Sequence, residues 1–119
     1  MLYQRELHFT SFEEFHAFPH GWDADFSITA SDQDGAGLAQ SIAPGLLVNT
    51  GRFAAPTLQR GSTPEDMRTF ALPLRLPSVY CWRGLPVKAN TLIVFPNDRE
   101  LFSTMGADVE MLTISIDQQ

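Results

Sequence analysis

The chain has 119 residues, 44% of them hydrophobic, with 14 acidic against 8 basic side chains and a net charge of −6. That suffices for one domain with a real core. With Lys88 as its single lysine, it is too acidic to bind nucleic acid by itself through phosphate neutralisation or to seek anionic membranes. No stretch approaches the roughly 20 apolar residues of a membrane-spanning helix. The N-terminus MLYQRELHFT carries Arg5 and Glu6 where a signal peptide has its apolar core. The lone Cys81 allows no internal disulfide, so a cytoplasmic location is expected.

Ser11 and Glu14 have the spacing of a capping box. One short helix is therefore predicted over about 11–18, with Phe12 and Phe15 on its apolar stripe and Leu7 beside them. Pro19 and Gly21 end it. Its expected place is against one end of a barrel, with a dimer contact as the alternative.

From about residue 23 the texture changes to short extended runs. Ala24–Ala30 alternates, with Phe26 and Ile28 on one face, and Ser31–Gly37 is a loop of turn formers. Strands are predicted over Leu38–Ile42, Leu46–Phe53 and Pro56–Arg60, then a polar loop over Gly61–Asp66. Met67–Leu74 sets Phe70, Leu72 and Leu74 at period two. Val79–Trp82, Pro86–Val87, Leu92–Phe95, Glu100–Thr104 and Val109–Ile116 complete the series. Residues 84–98, GLPVKANTLIVFPND, condense the pattern: turn, second turn at Ala89-Asn90, buried apolar strand, then a proline that stops pairing. Runs this short, divided by turns every 8–12 residues or roughly so, mark an all-β sandwich or barrel.

The residues that carry chemistry are sparse. His8, His16 and His20 all precede the barrel, and Pro19 separates the two that have helical spacing. No metal site and no cofactor is expected. Cys81 sits between Tyr80 and Trp82, the setting of a buried inert thiol. There is no nucleophile elbow and no phosphate-binding glycine loop. The carboxylates at Asp23/Asp25, Asp32/Asp34 and Glu65/Asp66 fall largely in loops open to solvent. No catalytic residue is assigned.

What remains is a pocket. Phe53, Phe70, Tyr80, Trp82, Phe95 and Phe102 lie on predicted strands, where aromatics either fill a small barrel or line a ligand cavity. Arg52, Arg60, Arg68 and Arg99 are placed where a guanidinium can meet a carboxylate or phosphate. The candidate ligand-binding set is Phe53, Arg60, Phe70, Tyr80, Trp82 and Phe102. The plain alternative is core aromatics and surface arginines.

Three segments carry a family likeness: LLVNTGRFAAPTLQRGSTPEDMRTFALPL (Leu46–Leu74), WRGLPVKANTLIVFPNDRELFS (Trp82–Ser103) and VEMLTISID (Val109–Asp117). The stretch Gly37–Asp117, about two-thirds of the chain, resembles the N-terminal cupin-like sensing domain of AraC-type transcriptional regulators. The first segment looks like that domain's strand pair, polar loop and strand, the second like its central hairpin, and the third like its closing strand. Asn90 stands where the cupin turn usually carries glycine, and the metal histidines of catalytic cupins are absent.

The resemblance implies a double-stranded jelly-roll barrel over about 23–117 with one N-terminal helix, in a single sensing domain spanning 1–119. Its expected role is non-enzymatic: a bacterial regulatory domain that binds a small-molecule effector and can homodimerise. DNA would be reached only through a C-terminal helix-turn-helix domain beyond Gln119. The alternatives are a stand-alone cupin enzyme, an isomerase or dioxygenase, and a barrel that only dimerises.

Overall fold

The computed structural model describes residues 3–9, 23–28 and 36–117, the last stretch with its side chains from Gly37 onward. The helix expected over about 11–18 lies outside the described residues. Everything described is strand, turn or loop. The strands are β1 (Tyr3–Phe9), β2 (Asp23–Ile28), β3 (Ala36–Ala43), β4 (Leu46–Phe53), β5 (Thr57–Ser62) and β6 (Met67–Arg75), then β7 (Tyr80–Trp82), β8 (Leu85–Pro86), β9 (Ile93–Val94), β10 (Glu100–Met105) and β11 (Glu110–Asp117). The described residues are all-β, and every pairing among them is antiparallel.

Two sheets form, in the orders β1-β3-β4-β11-β6-β9 and β2-β5-β10-β7-β8. The pairing is nested. β4 pairs with β11, β5 with β10, β6 with β9 and β7 with β8. A long ribbon folded at β7–β8 and wound on itself produces this order. β3 adds to β4, and β1 adds to β3 at the edge. The strand β1 was not anticipated, because its alternation of charged and apolar residues is short and Leu7 reads equally well beside a helix.

The turns follow local chemistry. Arg83 and Gly84 both have positive φ, 51° and 79°, the geometry of the two-residue turn that matches strand twist in a tight hairpin. Ala89-Asn90 also turns, but without a left-handed residue. Gly45 turns β3 into β4 at φ 73°. A Cβ there would lie 2.9 Å from an Asp117 carboxylate oxygen, so both backbone and space demand glycine.

The inner faces of both sheets supply one core, with Phe53, Ala71 and Val109 facing Tyr80, Leu101 and Met105. Pro73 cannot donate to the ladder. The β6–β11 register accordingly shifts between Glu110 and Met111, next to Pro73.

Two expectations change. The run Leu92–Pro96 is not a buried strand: Ile93 and Phe95 face inward, while Leu92 and Val94 are exposed. β9 pairs with β6 alone, at a sheet edge, and Val94 lies on the outer face of that sheet beside Phe70. On β6, Thr69, Ala71 and Pro73 are buried, and Phe70, Leu72 and Leu74 point outward. Period two tells which residues share a face, not which face the core takes.

Candidate ligand-binding site

Of the six candidate residues, three belong to the interior. Phe53 and Tyr80 are core residues, and Trp82 packs against the core, meeting Phe95 edge-on at 5.6 Å between ring centroids. The other three lie outside. Arg60 and Phe102 are direct cross-strand partners on the solvent side of the five-stranded sheet, with the guanidinium carbon 5.5 Å from the ring centroid. Phe70 is on the outer side of the six-stranded sheet. The six therefore do not converge on one place.

The interior is unusually polar. Gln40, Asn49, Thr57, Gln59, Thr69, Ser103 and Ser115 are all buried. Some are paired. Ser103 Oγ donates to Gln59 Oε1 at 3.0 Å, Gln59 Nε2 donates to Met105 Sδ at 2.8 Å, and the Thr69 and Ser115 hydroxyls meet at 2.7 Å. Tyr80 is pushed up to about 12 by burial, opposed by its hydrogen bond with Ser103. Others are not paired among the described residues: both amide atoms of Gln40, Asn49 Oδ1 and Thr57 Oγ1. Gln40 and Asn49 are cross-strand neighbours.

The arginines fall into two groups by location. Arg52 is ion-paired to Asp108. Arg83 lies over the Trp82 ring at 4.8 Å and binds Asp98 at 2.6 Å. Hydrogen bonds from Arg83 and from the Glu100 amide hold the Asp98 carboxyl below its usual range. Arg68 and Arg99 differ, because both line one depression of ≈ 160 Å³ at an end of the sandwich.

Loop 63–66, the start of β6 and the loop after β9 build that depression. Thr69 and Phe95 form its buried base, Met67 and Pro96 its apolar walls, and Thr63 and Asn97 add polar atoms. The Phe95 amide donates to Thr69 O at 3.0 Å, and the Thr63 amide donates to Arg99 O at 3.0 Å, tying the two loops together. Arg99 adopts φ 56° and Asp66 φ 60°, a left-handed conformation that costs a non-glycine residue about 1 kcal/mol or more. Arg99 Nη1 donates to Thr63 O at 2.7 Å. Its Nη2 lies 4.0 Å from the well-exposed Glu65 carboxylate. Thr63 is 1% exposed, and its hydroxyl has no partner. Arg68 is exposed and forms no ion pair among the described residues.

Two arginines, Arg68 and Arg99, and Thr63 with its buried hydroxyl thus line one depression with Phe95. Guanidinium groups and hydroxyls are donors of the kind that can meet an anion. Arg68, Arg99 and Phe95 were noted from the sequence but fell outside the candidate six. Thr63, Met67 and Asn97 went unnoticed, and their signal is that the turn-rich stretches GSTPED and PND each lie next to an arginine. Among the described residues no group of three or more histidine, cysteine, aspartate or glutamate side chains is placed to hold a metal. No described helix is long and apolar enough to cross a membrane. Comparison with known protein families, with curated proteins and with solved structures finds no match to this chain.

Proposed function

We propose that the chain is a ligand-sensing domain of the AraC regulator type, a jelly-roll barrel that binds a small anionic effector at one end. The nested pairs β4·β11, β5·β10, β6·β9 and β7·β8 support the jelly-roll reading, since winding an eight-strand antiparallel ribbon gives that order. The observation that carries the functional reading is the end depression, which Arg68, Arg99 and Thr63 line together.

Volume limits the ligand. An engineered apolar cavity of about 150 Å³ holds one benzene, so a depression of ≈ 160 Å³ suits a ring or short chain bearing one carboxylate. The apolar part would lie on Phe95 and Met67, and the carboxylate would take donors from Arg68, Arg99 and Thr63.

Register suggests how binding is transmitted. Ile116 and Asp117 on β11 pair with Arg68 and Met67. A domain attached beyond Gln119 would leave the barrel one strand from the bound ligand. Drawing Arg68 inward would then bias the last turn of β11, provided that the ligand binds two arrangements of that strand differently.

Thermal denaturation with benzoate and with its neutral counterpart benzamide tests the reading. Benzoate should raise the midpoint by mass action and benzamide should not. Arg99→Gln should weaken benzoate by about tenfold or more, the value of a charge-assisted hydrogen bond. Equal shifts from both compounds, or none from a broad set of small carboxylates and phosphates, would remove its basis.

A further inference from the structure

Arg99 stands in the loop between β9 and β10 at φ 56°, a conformation that a non-glycine residue keeps only where its surroundings hold it there. Thr63 supplies one hold, accepting from Arg99 Nη1 and donating its amide to Arg99 O. A second hold comes from Arg83. Its Nη2 donates to Asp98 Oδ1 at 2.6 Å and to Glu100 O at 2.9 Å. The Glu100 amide donates to the same Asp98 oxygen at 2.9 Å. One guanidinium nitrogen therefore binds both chain neighbours of Arg99. Arg83 is itself fixed. It takes φ 51° in the turn from β7 to β8, its amide donates to Phe102 O at 2.7 Å, and its guanidinium lies over the Trp82 ring. Trp82 meets Phe95 edge-on, and Phe95 lines the depression. The adjacent residues Trp82 and Arg83 thus support its aromatic base and the loop that carries Arg99.

We infer that Arg83 is a positioning residue for anion binding: it sets the direction in which Arg99 meets a carboxylate, without lining the depression itself. The inference rests on the ligand reading above and adds a second layer to that site. Binding groups work when the residues behind them lock their geometry. The effect differs in sign from plain electrostatics. Arg83 and Asp98 carry opposite charges. By charge alone, losing Arg83 disfavours a bound anion and losing Asp98 favours it. By positioning, both losses disfavour it, because either one releases the loop that bears Arg99.

Benzoate titrations of the full 119-residue chain and its variants, followed by amide chemical shifts, test it. Arg83→Gln and Asp98→Ala should each weaken benzoate by about threefold or more, and neither by more than Arg99→Gln does. In an Arg99→Gln background neither should weaken it further, since they act through that side chain. A readout without ligand accompanies the titrations. Solvent exchange of the Arg99 and Glu100 amides should quicken by about tenfold in both variants, while the urea midpoint stays nearly constant, as for other solvent-facing ion pairs. Suppose that the wild type binds benzoate and Arg99→Gln weakens it. If Asp98→Ala then tightens binding, or Arg83→Gln leaves it unchanged, the positioning role falls and the ligand reading stands. Equal amide exchange in the wild type and in Arg83→Gln overturns the inference whatever benzoate does. A wild type that binds no benzoate overturns both. If Arg83→Gln does not fold, Asp98→Ala decides by the sign of its effect.

Discussion

Replacing Gln40 by methionine should stabilise the fold. Gln40 is 2% exposed on the inner side of β3, and neither its amide nitrogen nor its amide oxygen has a partner. Leaving a buried polar group unsatisfied costs about 1–3 kcal/mol. Methionine has nearly the same length and no strong polar atom, so a gain of about 1–3 kcal/mol is expected, with the cavity and entropy terms nearly unchanged. The matched substitution Gln59→Met should have the opposite sign. Gln59 accepts from Ser103 Oγ at 3.0 Å and donates to Met105 Sδ at 2.8 Å, so its loss leaves Ser103 and Tyr80 rearranged around a missing acceptor, at a cost of about 1–2 kcal/mol. Urea denaturation reads both, the midpoint moving while the slope stays constant. If Gln40→Met destabilises by 1 kcal/mol or thereabouts, the Gln40 amide has partners and the polar interior is assembled differently. If the two substitutions behave alike, hydrogen-bond satisfaction does not decide the stability of this core.

Stability should also fall at alkaline pH through Tyr80. Its folded value of about 12 lies above the ordinary 10.0, so the folded state retains a proton that the unfolded state loses. The contribution is complete below pH 10 and is lost progressively as pH rises from there through about 12, worth on the order of 2–3 kcal/mol. Tyr80→Phe should flatten that slope in urea titrations between the two limits; an unchanged slope would mean that another group is responsible. Gly45→Ala should cost about 1–2 kcal/mol, since φ is 73° and the new Cβ meets the Asp117 carboxylate. Asp117→Ala in the same background should recover part of that loss, and no recovery would leave the backbone as the whole cause.

Strand existence was largely legible in the sequence, because pairing needs short alternating runs and turn residues have strong local preferences. Leu46–Phe53, which follows the turn pair Pro44-Gly45, was predicted as a strand, and the structure has β4 over the same residues. The Arg83-Gly84 hairpin was visible for the same reason. Facing was not legible. Phe70, Leu72 and Leu74 share a face in the sequence and in the structure, but which side carries the core depends on partners far along the chain, β9 and β11.

The site was hidden for a related reason. Thr63 and Arg68 lie five residues apart, but Arg99 is 31 residues beyond Arg68, and the three share one depression only because β5 ends and β6 and β10 begin at the same rim. Arginine composition pointed to anion recognition, yet only the fold shows that Arg68 and Arg99 line one depression while Arg52 and Arg83 are ion-paired with Asp108 and Asp98. Tyr80 and Phe53, read as pocket residues, belong to the buried core cluster.

A ¹⁵N-labelled titration with benzoate followed by amide chemical shifts tests whether a small anion binds at the sandwich end. Saturable shifts are expected at Thr63, Met67–Thr69 and Phe95, Asn97 and Arg99, spreading to Ile116 and Asp117 across the β6–β11 ladder. Shifts scattered over the surface without saturation, or a saturable set centred away from Arg68 and Arg99, would contradict it.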